Sequence, residues 1–232
     1  MGTVFSFDIR TPATPAIRAA LADAVAFLHR ADALFSPYRH DSQISGLDRG
    51  DLAAEDCAPE VTEILELGAR LTAETGGYFS VTATGRLDPS ALVKGWAIER
   101  ASTLLFDAGA VDHCVNGGGD VQTRGRPAPG RPWRIGVTDP ADRTRILGTI
   151  EGSDLAVATS GTGERGLHIH DPHTREPART LRSLTLAGRH LTTVDALSTA
   201  LFAMGDRARP WLSTRPALRV LAVTAQGDAW TT

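Results

Sequence analysis

Asp195 and Thr199 stand four residues apart in Thr193-Val194-Asp195-Ala196-Leu197-Ser198-Thr199. On a helix that spacing puts a carboxylate and a hydroxyl on one face. Two hard oxygens suit Mg²⁺, which keeps waters or substrate phosphates in its other positions. The same residues also have a purely structural use. An Asp near a helix start satisfies free N–H groups, and a Thr hydroxyl bonds back to the carbonyl four residues earlier. Lys94 is the second feature. The chain carries 24 Lys and Arg residues, and Lys94 is its one lysine. It lies in Leu87-Asp88-Pro89-Ser90-Ala91-Leu92-Val93-Lys94-Gly95-Trp96, beside a glycine near a helix start. That neighbourhood alone also fits a solvated surface lysine.

Three further segments carry chemistry-bearing residues. Asn116-Gly117-Gly118-Gly119-Asp120 follows a strand pattern. Its glycines permit positive φ or close backbone approach to a ligand, or simply a tight turn. In His168-Ile169-His170-Asp171-Pro172, read as extended, the two histidines share one face and suit a base or a phosphate contact. Gly161-Thr162-Gly163-Glu164-Arg165-Gly166 fits G-x-G-x-x-G after an apolar strand. A dinucleotide-binding unit needs a helix to open there, and the residues that follow read as extended. A Gly-rich loop offering backbone N–H groups to a phosphate or a ring remains open.

The elements that position these residues follow from periodicity. Thr3 to Ile9 alternates as a half-buried strand. Thr14-Pro15 reads as an N-cap and first helical position, with Ile17, Leu21, Val25, Leu28 and Leu34 carrying a helix to about Phe35. Residues 36–50 are polar, contain Pro37 and read as loop. A second helix follows Pro59, with Val61, Ile64, Leu65, Gly68 and Leu71 as its apolar stripe and Gly76-Gly77 as its stop. A third runs from Ser90 to Gly109, with Leu92, Trp96, Ile98 and Leu105 as core candidates. Short strands are expected at 111–115, 133–138, 145–150, 155–159, 167–170 and 183–187. Thr192-Thr193 then caps a helix over 194–204 that Gly205 ends. A short helix at 210–213 and a strand at 218–224 finish the chain. No repeat or linker interrupts it, so one domain over 1–232 is expected, α+β with largely antiparallel sheet.

Composition narrows the function. A net charge of −3 excludes a sequence-independent nucleic-acid binder, and 42% hydrophobic residues with 22% charged ones exclude disorder. Cys57 and Cys114 lack metal-ligand spacing and read as idle thiols. No apolar run approaches the ~20 residues that span a bilayer. The first residues lack a basic stretch followed by an apolar one, so a cytoplasmic protein without a membrane anchor is the expectation.

Taken in order, the segments resemble the ApbE family, the FAD:protein FMN transferases. The matching stretches are Met1-Gly2-Thr3, Phe35 to Ser45, Thr75-Gly76-Gly77-Tyr78-Phe79, Leu87 to Trp96, Asn116 to Asp120, Trp133 to Pro140, Ala158 to Gly161, His168 to Pro172 and Val194 to Thr199. The resemblance implies T-fold-like antiparallel sheets packed with helices and an FAD cleft between the halves. It also implies Mg²⁺-dependent transfer of the FMN half of FAD onto a Ser or Thr of an acceptor protein as a phosphoester, releasing AMP. Asp195 and Thr199 would hold the metal with the carbonyl of Ala91. Met1, Tyr38, Gly77, Tyr78, Phe79, Asp88, Lys94, Asp120, Ser160, His168 and Ile169 would line the FAD site. Catalysis would rest on Asp195 and on His168, with His168 or an aspartate taking the acceptor hydroxyl's proton. Two positions depart from the family pattern: Ser80 stands where Asp is usual, and Arg175-Glu176 follows Thr174 where Gly is usual. The departures leave two alternatives open, a Mg²⁺-dependent FAD pyrophosphatase giving FMN and AMP, and a non-catalytic flavin-binding protein.

Overall fold

The computed structural model describes residues 2–163 and 166–232; Met1 lies outside the described residues, as do Glu164 and Arg165. Four helices alternate with loops in the first half: α1 (Pro15–Phe35), α2 (Gln43–Arg49), α3 (Pro59–Glu74) and α4 (Ser90–Asp107). They follow the strand β1 (Phe5–Ile9). The strands β2 (His113–Gly117), β3 (Asp120–Arg124), β4 (Trp133–Thr138), β5 (Ile146–Gly152), β6 (Ala156–Gly161) and β7 (Leu181–Gly188) come next. The chain closes with α5 (Leu191–Met204), α6 (Ala208–Ser213), β8 (Arg219–Thr224) and β9 (Ala229–Thr231). A seven-stranded antiparallel sheet has the order β1-β2-β3-β6-β7-β8-β9, and β4 and β5 form a separate hairpin.

The helices α1, α4 and α5 pack together, and α4 and α5 lie on the sheet. Thr14 caps α1, its side chain accepting from the Ile17 N–H at 3.2 Å, with Pro15 in the first turn. The buried face of α1 is Ile17, Ala20, Ala24, Leu28, Ala31 and Phe35, while Val25 is exposed. The expected stripe through Leu21 and Val25 is thus displaced toward alanines, which let α4 approach closely. Trp96 of α4 fills that contact, with ring centroids 5.2 Å from Phe27 and 5.6 Å from Phe35. Leu92, Ile98 and Leu105 are fully buried, as their spacing predicts.

Three sequence expectations are corrected, and two strands were not foreseen. The polar stretch 36–50 contains α2, capped by Ser42 (Ser45 N–H to Ser42 Oγ, 3.1 Å) and ended by Gly50 at φ 78°. Residues 167–170 are not a strand; one isolated bridge joins His170 to Pro177, so the alternation of the two histidines has no ladder behind it. The helix expected from 194 begins at Leu191, with Thr192 inside its first turn. The strands β3 and β9 were hidden, β3 because three glycines and a buried Asp mask its start.

Candidate active site

Four elements converge on one buried cluster of charge. α4 contributes Lys94 and Gly95, β3 contributes Asp120, β6 contributes Ser160, and α5 contributes Asp195, Ser198 and Thr199. The side chains of Asp120 and Asp195 are 2% and 4% exposed, so each needs a partner. Lys94 serves both: its Nζ contacts Asp120 Oδ2 and stands 3.5 Å from Asp195 Oδ1. Asp120 Oδ1 also accepts from the Thr159 N–H at 3.0 Å, tying β3 to β6 at the cluster.

The electrostatics follow from burial. Burial opposes the charge on Lys94, but the carboxylates of Asp195 and Asp120 outweigh it and hold the ammonium above its ordinary range. Burial pushes the Asp195 carboxyl up toward neutral pH; Lys94 pulls it back and the nearby Asp120 adds to the rise. The Gly95 N–H donates to Asp195 Oδ2 at 2.8 Å and favours the ionised form.

The close approach of α4 and α5 requires glycine at position 95. A Cβ there would lie 2.6 Å from the Leu191 carbonyl oxygen and 2.7 Å from Asp195 Cβ. The Gly95 N–H is the ordinary helical partner of the Ala91 carbonyl. The Asp195 carboxylate therefore competes for it with the very oxygen that the resemblance makes a metal ligand. Beside Asp195 a chain of hydroxyls joins α5 to β6. Ser198 Oγ donates to the Asp195 carbonyl at 2.8 Å, and Ser160 Oγ lies 2.8 Å from Ser198 Oγ and 3.2 Å from Thr199 Oγ1. The back-bond from Thr199 Oγ1 to the Asp195 carbonyl is long, at 3.5 Å.

The start of α5 is held from outside the helix. Glu99 of α4 accepts from Thr192 N and Oγ1 at 2.9 and 2.7 Å and from His190 Nδ1 at 2.7 Å. Gln122 of β3 accepts the Leu191 N–H at 3.0 Å. Sequence reading missed Gly95, Glu99, Gln122 and Ser198. The Lys94-Gly95 pair was the one visible signal, since a glycine in the first turns of an amphipathic helix marks a close approach.

The other expected site residues lie around this cluster or apart from it. Asp88 Oδ1 accepts the Ser90 N–H at 3.0 Å and starts α4, in whose first turn Ala91 sits. Gly77 has φ 89°, which favours glycine. Tyr78 follows; its hydroxyl is hydrogen-bonded by Arg207, and its ring meets His173 edge-on at 4.5 Å. Phe79 and Ile169 are buried in the core. Tyr38 is 91% exposed. His168 is exposed, its Nδ1–H donating to the Gly166 carbonyl at 3.0 Å, and no bond joins it to the Lys94 cluster among the described residues.

Two observations bear on a metal. No group of three or more His, Cys, Asp and Glu side chains that could hold an ion occurs among the described residues. The donors at hand are the Asp195 and Asp120 carboxylates, hydroxyls and helix-start carbonyls, all hard oxygens. Such a set fits an ion that completes its shell with water and phosphate, as Mg²⁺ does. No described helix is long and apolar enough to cross a membrane.

Comparison with known proteins gives the family and the fold. A sequence profile of the ApbE family matches residues 1–85 and 83–222. A FAD:protein FMN transferase from Vibrio cholerae is 30% identical over 154 residues, covering 62% of this chain and 46% of that protein. One from Rhodobacter capsulatus is 29% identical over 222 residues, covering 88% of this chain and 41% of that protein. The chain spans less than half the length of these curated relatives. Among solved structures, a flavin transferase ApbE from Vibrio cholerae superposes with a TM-score of 0.84 at 22% identity, covering 100% of this chain and 94% of that one. An ApbE protein from Thermotoga maritima gives 0.82 at 23% identity, with 99% and 92% covered. At that identity the superpositions establish the fold.

Proposed function

The chain belongs to the ApbE family, and from that premise we propose that it transfers the FMN half of FAD onto a Ser or Thr hydroxyl of an acceptor protein, releasing AMP. One observation carries the reading: Lys94 bridges two buried carboxylates, Asp120 and Asp195, beside the Thr199 and Ser160 hydroxyls. Buried charges are expensive to keep, and their convergence on one spot fits a site for charged chemistry better than a core.

In this reading Asp195, Thr199 and the Ala91 carbonyl hold Mg²⁺. The ion, when bound, supplies neutralisation of the pyrophosphate charge. Lys94 and Asp120 orient the groups around it, and Gly77 and Tyr78 line the flavin, with Phe79 anchoring them from the core. The acceptor hydroxyl oxygen forms the new bond to the FMN phosphorus. The bond from that phosphorus to the bridging oxygen breaks, and AMP leaves with that oxygen. The hydroxyl's proton passes to a base. His168 suits this role: with Nδ1–H committed to the Gly166 carbonyl, a neutral ring keeps Nε2 as the proton acceptor.

Incubation with FAD and Mg²⁺, with and without a Ser/Thr-bearing acceptor protein, tests the proposal. Flavin fluorescence covalently on the acceptor, with the mass increment of FMN, supports it. Free FMN and AMP without any acceptor labelling would replace transfer by hydrolysis. Bound flavin with neither product would leave a binding protein.

A further inference from the structure

Lys94 stands where a cation on Asp195 would feel it most. Its Nζ is 3.5 Å from Asp195 Oδ1 and in contact with Asp120 Oδ2, and its side chain is 28% exposed. Its backbone has little freedom to withdraw, because the next residue, Gly95, is bonded to Asp195 Oδ2 and pressed against the Leu191 carbonyl. An ammonium so placed already compensates the carboxylate. A divalent ion arriving at the same carboxylate meets a fixed positive charge within a few ångströms, in a site too buried for water to screen it well. A pyrophosphate arriving with the ion brings the negative charge that relieves the repulsion and gives the ammonium a second partner.

We infer that Lys94 makes metal and FAD bind as a linked pair, each weakly alone and tightly together. The inference rests on the metal and FAD reading above. It goes further in giving the lysine a task that a plain ligand contact lacks: it keeps the metal site empty until the dinucleotide arrives. Linkage is reciprocal, so the factor by which FAD tightens Mg²⁺ equals the factor by which Mg²⁺ tightens FAD. An ion that merely bridges the phosphates also couples the two ligands. It does so, however, without penalising the metal when FAD is absent, and the sign of the Lys94→Met effect separates the two cases.

The experiment is calorimetric titration of Mg²⁺ at pH 8 with and without FAD, with FAD binding followed by flavin fluorescence, on the wild-type chain and Lys94→Met. In the wild type, Mg²⁺ alone is expected to bind at least tenfold more weakly than with FAD. In Lys94→Met, affinity for Mg²⁺ alone is expected to rise about tenfold and the coupling factor to shrink. A merely structural lysine moves the metal affinity down on removal, so unchanged or weaker Mg²⁺ binding in the variant overturns the inference. Lys94→Gln removes the same positive charge and keeps a side-chain amide to donate to Asp120, and it carries the same prediction if Lys94→Met does not fold. Failure of the wild type to bind FAD and Mg²⁺ even together would instead sink the functional reading beneath it.

Discussion

The backbone N–H of Gly95 donates to Oδ2 of Asp195 across 2.8 Å, joining two helices whose residues are 100 positions apart in the chain. The bond exists because position 95 has no Cβ. A methyl group there would sit 2.6 Å from the Leu191 carbonyl oxygen, a backbone atom that cannot swing aside. Gly95→Ala is therefore expected to push α4 from α5 and to destabilise the fold by about 1–3 kcal/mol, the usual cost of overpacking. Urea denaturation measures it. A variant as stable as the wild type would mean that the two helices are less closely fixed than the geometry requires.

Glu99 fastens the same helix pair one turn further on. Its carboxylate accepts three bonds from the start of α5, two from Thr192 and one from His190. No side chain of α5's own N-cap residue does this. Glu99→Ala leaves the Thr192 N–H without its acceptor and removes a negative charge from a helix N-terminus. A loss of about 1–2 kcal/mol is expected. Hydrogen exchange at residues 191–194 should quicken more than in β7. Equal acceleration everywhere would show that Glu99 supports global stability without fixing this helix start.

These two contacts mark where sequence reading ends. Type and spacing singled out Asp195, Thr199 and Lys94 but fitted a structural Asp and Thr and a solvated lysine equally; it is the fold that brings Lys94 to Asp195 and Thr199 to Ser160. The helices of the first half were legible from Thr14-Pro15, Pro59 and Gly76-Gly77, which act within a few residues. Gly95, Glu99 and Gln122 were not, since each acts on a partner far off in the chain. β3 was hidden for the same reason: Asp120, at its start, is polar yet buried, and its partners, Lys94 and the Thr159 N–H, lie on other elements. The histidine segment misled because alternation predicts a strand only where a neighbouring strand exists to pair with it.

His113 makes stability depend on pH. The ring is fully buried in β2, its Nδ1–H donating to the Ala110 carbonyl at 2.6 Å and its Nε2 accepting from Ser102 Oγ at 2.7 Å. Burial, helped by the charge of Arg124, lowers its pKa below the ordinary 6.5 despite the bond to Ala110. The unfolded chain therefore takes up a proton at a pH where the folded one does not. The stability this group contributes is whole above 6.5 and falls as pH drops from there through the folded value. The Asp195 carboxyl, raised toward neutral pH by burial, works in the opposite sense over this range, so the readout is a difference: His113→Gln should cost stability at pH 7.5, by an amount that shrinks as pH drops to 5. Urea midpoints of the two proteins measure it, and a cost that stays constant over this range would contradict the lowered pKa of His113.

Cys114 should be the slow thiol of the molecule. Both cysteines are free, and Cys114 lies half-buried in β2. Burial, with the Asp8 carboxylate adding to it and Arg10 opposing, pushes its thiol up to about 11. Only the thiolate attacks an alkylating agent. At pH 8 a thiol titrating near 11 is ionised about a hundredfold less than an ordinary one near 8.5. Iodoacetamide at pH 8 is therefore expected to label Cys114 in the folded protein about two orders of magnitude more slowly than in urea. Cys57, whose thiol is raised chiefly by a lighter burial, should react first. Peptide mass spectrometry over a time course resolves the two sites, and labelling of native Cys114 at the unfolded rate would contradict the buried, neutral thiol described here.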